Sequence, residues 1–390
     1  MKAVISGAGI AGLTLAVFLG QRGWQVTVLD DGPSARGEGY MIDLFGSGYE
    51  AARRMGLLPR LEKLRYAFQS IRWLNAAGRT TARLPFRTLE GLFDGRLMSL
   101  MRSDLERALL EELPPGVTIR YGVPVTQVRT PVGGVDAYLG NGDVEHADVL
   151  IGADGMRSRI RDLTFGDGGS WLRFLGLQTA AFVIHDAELC ADLKNDLHLV
   201  SAPGRQAGLY PLRDGDVAAF FVHRAASGAP PSSPLAALEK AYGEFRWQLP
   251  RVLDRARELP GFLYENVAQV VVPHWYRGRI ALLGEACQAV SLLPGQGAAL
   301  SMAAAYVLGE ELTHNQDVKV ALDHYERRVR PPLAQMRRAG RRSAEWLVPA
   351  TAAGILARDA AIRLARIRGL SRLLRPAISV AREDVLVPVT

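Results

Sequence analysis

The run Val4-Ile5-Ser6-Gly7-Ala8-Gly9-Ile10-Ala11-Gly12 constrains this chain more than any other stretch. Residues 3–6 form a short apolar run, 13–22 have helical spacing, and 24–29 are a second β-rich run that ends in Asp30. Strand, tight turn, helix and strand is the context in which Gly-x-Gly-x-x-Gly signals a bound dinucleotide. Gly7 permits the sharp turn, Gly9 lets the backbone approach a pyrophosphate, and Gly12 lets the helix pack close to the strand. The phosphates then meet the free N–H groups and the positive dipole end where the helix starts, at Ile10 and Ala11. Asp30, closing the second strand, is placed to accept hydrogen bonds from the adenosine ribose. The motif by itself leaves FAD and NAD both open.

The remaining strand ends narrow the choice. Val149-Leu150-Ile151-Gly152-Ala153-Asp154-Gly155 is an apolar strand that runs into an Asp-Gly turn, and the plain alternative is an ordinary strand-turn-helix junction. A third such strand, Arg279-Ile280-Ala281-Leu282-Leu283-Gly284-Glu285-Ala286, ends in an acid at the edge where ligands collect in open α/β sheets. Three strand ends bearing acids beside a glycine-rich loop suit a long cofactor laid across the sheet. Leu293-Pro294-Gly295-Gln296-Gly297 then opens a helix near Ala298. Its N-terminus would stabilise negative charge on a bound cofactor, and its glycines let N–H groups come close. An ordinary Pro/Gly loop capping a helix reads equally well from these residues alone.

Composition excludes several classes. The chain has 390 residues, 48% apolar and 22% charged, enough for one large core and a second smaller one. Only Cys190 and Cys287 occur, so neither a disulfide framework nor a thiolate metal cluster is available, and the seven histidines show no ligand spacing. No hydrolase triad or nucleophile elbow is visible. The net charge of +7 concentrates between Arg327 and Arg375, where 13 arginines face only Glu345 and Asp359. That distribution belongs to C-terminal helices, reads as a solvated helix face, and lacks the interleaved aromatics of a nucleic-acid module. No positively charged leader and no apolar run of about 20 residues is seen, so a cytoplasmic protein without membrane insertion is expected.

Taken together, these segments resemble the FAD-dependent aromatic-hydroxylase-type monooxygenases, the class of para-hydroxybenzoate hydroxylase. The likeness is strongest to its tetracycline-inactivating and polyketide-tailoring members. The resemblance covers almost the whole chain. It rests on the N-terminal fingerprint, Ala35-Arg36-Gly37-Glu38-Gly39-Tyr40-Met41-Ile42-Asp43, Met101-Arg102-Ser103-Asp104-Leu105, the Asp154-Gly155 turn and the block from Gly284 to Gly297. It implies an α/β fold: an FAD-binding, Rossmann-like three-layer domain with an inserted antiparallel β-sheet substrate domain and C-terminal helices. Residues 1–66, 97–166 and 270–343 are expected to form the discontinuous FAD domain, 67–96 and 167–269 the substrate domain, and 344–390 the helical end. It also implies cofactor contacts from Arg36, Asp43 and Arg102, a bracing role for Asp154 and Gly155, and ribityl contacts from Glu285. Pro294, Gln296, Gly297 and Ala298 would face the flavin. Glu285 stands where the family usually has aspartate, and Gln288 where it commonly has histidine.

Between residues 167 and 269, short β-rich runs at 179–184, 208–212 and 217–222 are separated by Asp-Gly and Gly/Pro turns, which reads as an antiparallel sheet. In the resembling enzymes this sheet roofs the substrate cavity. Tyr210, Arg213, Phe221 and His223 are the candidates for substrate contact. Each has a plain alternative: core for Tyr210 and Phe221, a solvent turn for Arg213, a structural histidine for His223. The segment 344–376 has helical character and is expected to dock on the protein body, with an anionic membrane surface as the alternative.

The implied activity is a monooxygenase: NADPH or NADH reduces the FAD, O2 adds at flavin C4a as a hydroperoxide, and oxygen passes to a bulky aromatic or polyketide-like small molecule. The alternative is a redox-neutral cyclase of natural-product biosynthesis that keeps FAD as a scaffold, a reading prompted by Glu285 and Gln288.

Overall fold

The computed structural model describes residues 1–34, 40–166, 171–290, 296–365 and 385–386. The chain begins with β1 (Lys2–Ser6), α1 (Ile10–Gly20), β2 (Gln25–Asp30), β3 (Met41–Phe45), α2 (Gly46–Arg54) and α3 (Leu58–Leu64). It continues with β4 (Ser70–Asn75), β5 (Thr80–Pro85), α4 (Phe86–Leu92), β6 (Leu97–Met101) and α5 (Arg102–Glu111). Next come β7 (Val117–Tyr121), β8 (Val125–Arg129), β9 (Val135–Leu139), β10 (Val144–Ala147), β11 (Val149–Gly152) and α6 (Arg159–Phe165). The second half opens with β12 (Leu172–His185), α7 (Ala187–Leu193), β13 (Asp196–Ala202), β14 (Arg205–Pro211), β15 (Asp216–Arg224), α8 (Pro234–Tyr242) and α9 (Leu249–Ala256). It closes with β16 (Leu263–Val270), β17 (Tyr276–Arg277), β18 (Ile280–Leu282), α10 (Glu285–Gln288), α11 (Gln296–His314), α12 (Val318–Leu347) and α13 (Ala352–Leu364).

The near-continuous apolar runs of β1, β2, β11 and β18 are what a sheet covered on both faces requires. They lie parallel in the central sheet, in the order β17-β18-β11-β1-β2-β7. The three antiparallel strands β8, β9 and β10 form another layer and send Val125, Val135, Ala137 and Leu139 into the same core as α1 and α11. This is the three-layer nucleotide-binding architecture expected from the sequence.

The roof is a seven-stranded sheet in the order β16-β12-β15-β14-β13-β4-β5. It differs from the expected antiparallel sheet in one pair: β13 runs parallel to β4, from Asp196↔Ser70 to Ser201↔Asn75. The β4–β5 hairpin reaches the roof by way of the FAD domain, so no tight turn dictates its direction relative to β13. Ser70 Oγ and Arg72 Nε both donate to the buried Asp196 carboxylate, at 2.6 and 2.5 Å, and pin that edge. The outer face of the roof is closed by α8 and α9. In α9, Leu249, Val252, Leu253 and Ala256 follow helical spacing and pack with Phe221, Tyr242 and Phe245.

Two pieces join roof and FAD domain. β3 and β6 pair antiparallel as a two-stranded floor, with Ile42, Leu44, Met98 and Leu100 in the main core and Met41, Phe45, Leu97 and Met101 turned toward the roof. α12 packs its first half into the main core through Tyr325, Val329 and Leu333, and its last turn against the roof residues Leu177, Val222 and Val267. The boundary expected at 343/344 therefore falls inside one continuous helix. α13 docks on the roof, where Arg363 Nε donates to Thr81 O at 2.7 Å and the buried Arg358 reaches Gln206, Ser201 and Asp359. Arg358 is thus a buried structural contact, while Arg363, Arg327 and Arg338 are exposed as the charge pattern suggested. Among the described residues no helix is long and apolar enough to cross a membrane.

Candidate functional site

Gly7 takes φ +111°, and a Cβ there would fall 2.3 Å from Ala153 O; one on Gly12 would fall 2.0 Å from Gly7 O. Both positions are closed by backbone, as a tight turn and close helix packing demand. Gly9 is different. Its backbone is extended, and a Cβ would meet only Arg102 Nη2 at 3.8 Å and Glu106 Oε1 at 4.0 Å. Gly9 is also the N-cap of α1 and offers no side-chain cap, so the first N–H groups of the helix, at Ile10 and Ala11, face the open side.

The starts of α1 and α11 converge across Gly284, where a Cβ would lie 2.7 Å from Ala11 Cβ and 3.4 Å from Ser301 Oγ. Glu285 Oε1 lies 3.6 Å from the Cβ position of Gly297, in the first turn of α11, with Ala298 buried beside it. Arg102 donates from Nε to Glu106 Oε1 at 3.1 Å and is hydrogen-bonded with Tyr40. Burial opposes its charge, yet Tyr40, Glu285 and Glu106 hold the guanidinium firmly protonated. Asp30 accepts from Ala8 N at 2.7 Å and from Gly32 N at 2.9 Å, which ties the second strand to the glycine turn. Asp154 accepts from Ser158 Oγ at 2.5 Å and Ile160 N at 3.0 Å; its carboxylate braces α6, and Gly155 takes φ +79° in the turn. Two helix N-termini, a half-buried arginine and an open glycine fit the diphosphate and ribityl parts of an FAD. Arg36, Pro294 and the side chain of Gln296 lie outside the described residues.

Gln288 does not face this site. Its Oε1 accepts from Gly284 N at 3.0 Å and its Nε2 donates to Tyr325 OH at 2.6 Å, so it locks the turn that presents Glu285. The carbonyls that follow are clamped as well: Arg161 donates to Ala286 O at 3.0 Å, Arg337 to Cys287 O at 2.8 Å and Gln269 to Val290 O at 2.7 Å. The motive for a redox-neutral scaffold that Gln288 supplied therefore disappears.

The profile of the FAD binding domain family matches residues 1–339. The chain belongs to that family. The family's relatives include the FAD-dependent monooxygenase asL6 of Sarocladium schorii, 28% identical over 360 residues, covering 85% of this chain and 84% of that protein. A flavin-dependent monooxygenase from an unknown prokaryotic organism is 28% identical over 336 residues, covering 85% and 86%. The fold is shared with tetracycline destructase Tet(55), at TM-score 0.82 and 23% identity over 100% of this chain and 98% of that one. Klebsiella pneumoniae HpxO, solved with FAD and uric acid, aligns at TM-score 0.80 and 21% identity over 97% and 96%. This member of the FAD binding domain family is an aromatic-hydroxylase-type flavoprotein and an oxidoreductase, with FAD as its cofactor.

The four roof candidates separate by strand face. Tyr210 faces the floor, where its OH accepts from Met41 N at 2.7 Å. Phe221 and His223 sit on the opposite face: Phe221 is fully buried under α8 and α9, and His223 hydrogen-bonds Tyr264 OH at 3.0 Å. Neither reaches the space between roof and floor, because their strand positions alternate with the ones that do. Arg213 is a tether, donating to Leu64 O at 2.7 Å, pairing with Asp104 at 3.3 Å and stacking 4.2 Å above the Tyr66 ring. Phe220, one residue from the expected position, faces the floor with its ring centroid 6.0 Å from that of Tyr40. Asp43 stands on the roof-facing side of β3, where its Oδ1 accepts from Ser99 Oγ at 2.5 Å. Tyr40, Phe220, Gln269 and Arg337 were not singled out as site-forming residues; Tyr40 lies inside a recognised motif, while the others depend on pairings distant in sequence.

Proposed function

We propose that this enzyme uses NADPH or NADH and O2 to hydroxylate or epoxidise a bulky, largely apolar aromatic or polyketide-like molecule held between floor and roof. One observation carries the reading: Tyr40, hydrogen-bonded with Arg102 of the Arg102–Glu285 cluster, stands 6.0 Å between ring centroids from Phe220 of the roof, beside the floor-and-roof aromatics Phe45, Phe68 and Tyr210.

FAD, when bound, supplies the activation of O2 and the oxygen transfer. The chain's residues bind and shield. The N-termini of α1 and α11 and Arg102 favour the anionic parts of the cofactor. Glu285, held by the Gln288 lock, serves the ribityl hydroxyls. Phe220, Tyr40 and Tyr210 present apolar surface to the substrate and exclude water from the reacting region. The cyclase alternative has no structural observation in its favour. The tetracycline destructase and uric acid neighbours support a ring-bearing substrate without naming it.

The reading is tested by turning over the FAD-reconstituted protein with NADPH or NADH, isotopically labelled O2 and a panel of polycyclic phenols. A product carrying one labelled oxygen atom is expected for at least one panel member. Nicotinamide-dependent product formation with oxygen derived from water would contradict it.

A further inference from the structure

The outer face of the roof carries a cationic cluster at its β4–β5 edge. Within that hairpin Arg72 stands directly opposite Arg83, and on its other side Arg72 is in register with His198 of β13. Strand alternation sets all three on the side of Leu74 and Val200, away from Trp73 and Leu84, which face the floor. Arg83 is exposed and Arg72 keeps 32% of its side chain exposed, so this edge lies outside the cover of α8 and α9. Like charges directly opposite each other destabilise an antiparallel pair.

A single buried carboxylate serves both guanidinium groups. Asp196 accepts from Arg72 Nε at 2.5 Å and from Ser70 Oγ at 2.6 Å, and Ser70 Oγ in turn accepts from Arg83 Nε at 2.8 Å. Both arginines are thus hinged through Nε on one Ser70–Asp196 unit. Among the described residues their terminal Nη groups have no hydrogen-bond partner, and Arg83 has no carboxylate within ion-pair distance. His198 forms a wall beside them: its Nδ1 meets Asp196 O at 3.2 Å, and Trp247, held in a left-handed conformation at φ +60°, packs on its ring at 5.1 Å between centroids. Burial, and after it the Arg72 charge, hold the His198 pKa below its ordinary value, which registers the positive potential of the cluster.

We propose that the Arg72–Arg83 pair is a binding site for a phosphate group on the outer face of the roof. One guanidinium fork saturates a carboxylate, whereas two forks on adjacent strands suit the several oxygens and higher charge of a phosphate monoester. The shared Ser70–Asp196 hinge sets both side chains in place before the ligand arrives, so little side-chain freedom is lost on binding. The bound anion offsets the opposition between the two arginines. The cluster stands on the opposite face of the roof from Phe220 and Tyr210, so its occupant is a second ligand, distinct from any molecule between floor and roof.

Calorimetric titration of the FAD-loaded full chain with inorganic phosphate, at a fixed ionic strength that holds screening constant, tests the site, with acetate as the control for negative charge alone. Phosphate is expected to bind and acetate to bind at least roughly tenfold more weakly. Arg83→Gln is expected to weaken phosphate at least roughly tenfold, the scale of a hydrogen bond to a charged group. Arg83→Lys keeps the charge without the fork and falls between the two. Bound flavin and the melting profile show that each variant is folded. Vesicles of phosphatidylcholine with phosphatidic acid form a second arm: retention that Arg83→Gln abolishes makes the phosphate that of a lipid headgroup, and binding of free phosphate without retention makes it that of a soluble molecule. Equal phosphate affinity in wild type and folded Arg83→Gln, acetate that binds as phosphate does, or folded wild type that takes neither free phosphate nor vesicles overturns the assignment.

Discussion

At the scale of single residues, glycines that look alike in the sequence serve different ends. Gly7 and Gly12 are required by backbone oxygens that a Cβ would meet at 2.3 and 2.0 Å, whereas Gly9 has an open side. Gly9→Val should therefore fold, with stability within about 1 kcal/mol of wild type, and lose FAD affinity by at least roughly tenfold, or ~1.4 kcal/mol. Fluorescence titration with FAD and a thermal melt check both halves; wild-type affinity in a folded Gly9→Val would remove the diphosphate from the α1 N-terminus. The same distinction resolves the two departures from the family pattern. Glu285 projects toward the first turn of α11, while Gln288 turns inward to Tyr325, so of the two only Glu285 stands in the proposed cofactor cluster.

At the scale of elements, β15 shows how one position separates two functions. Phe220 faces the floor and Phe221 the outer helices. Phe221→Ala is expected to cost about 3–5 kcal/mol of stability in denaturant unfolding, with 2-naphthol affinity unchanged in the folded protein. Phe220→Ala is expected to weaken 2-naphthol binding several-fold and to leave stability within about 1 kcal/mol. The opposite pattern would mean that the roof faces have been interchanged. The sequence shows strands here but not their facing, because both faces are covered and both carry aromatic residues. The nucleotide half was far more legible: its glycines, acids and apolar strands act within a few residues of one another. Asp43 was legible as part of a motif, but its side of the strand was not, since only its pairing with Ser99, 56 residues away, reveals it. The parallel β13–β4 pair has the same cause, joining Ser70 to Asp196 across 126 residues.

At the scale of the molecule, roof and cofactor domain meet through shared pieces. Gln269, on roof strand β16, donates to Val290 O and to Arg337 O, and Arg337 on α12 donates to Val270 O and Cys287 O. The roof is thus hydrogen-bonded to the segment that presents Glu285, and α12 spans both bodies. The floor contributes in the same way, with one face in the main core and the other under the roof. A substrate between them would contact surfaces rigidly tied to the cofactor, which is the arrangement a flavin hydroxylase needs to align a ring carbon with the reacting centre. The central claim is that this arrangement performs redox chemistry on a ring-bearing molecule. The most direct measurement is an anaerobic titration of the FAD-reconstituted protein with NADPH and NADH, following the oxidised-flavin absorption with and without polycyclic phenols. The account predicts bleaching by one of the two nicotinamides, faster when a phenol occupies the floor–roof space. Protein that reduces with dithionite yet stays yellow with both nicotinamides and every phenol would contradict it.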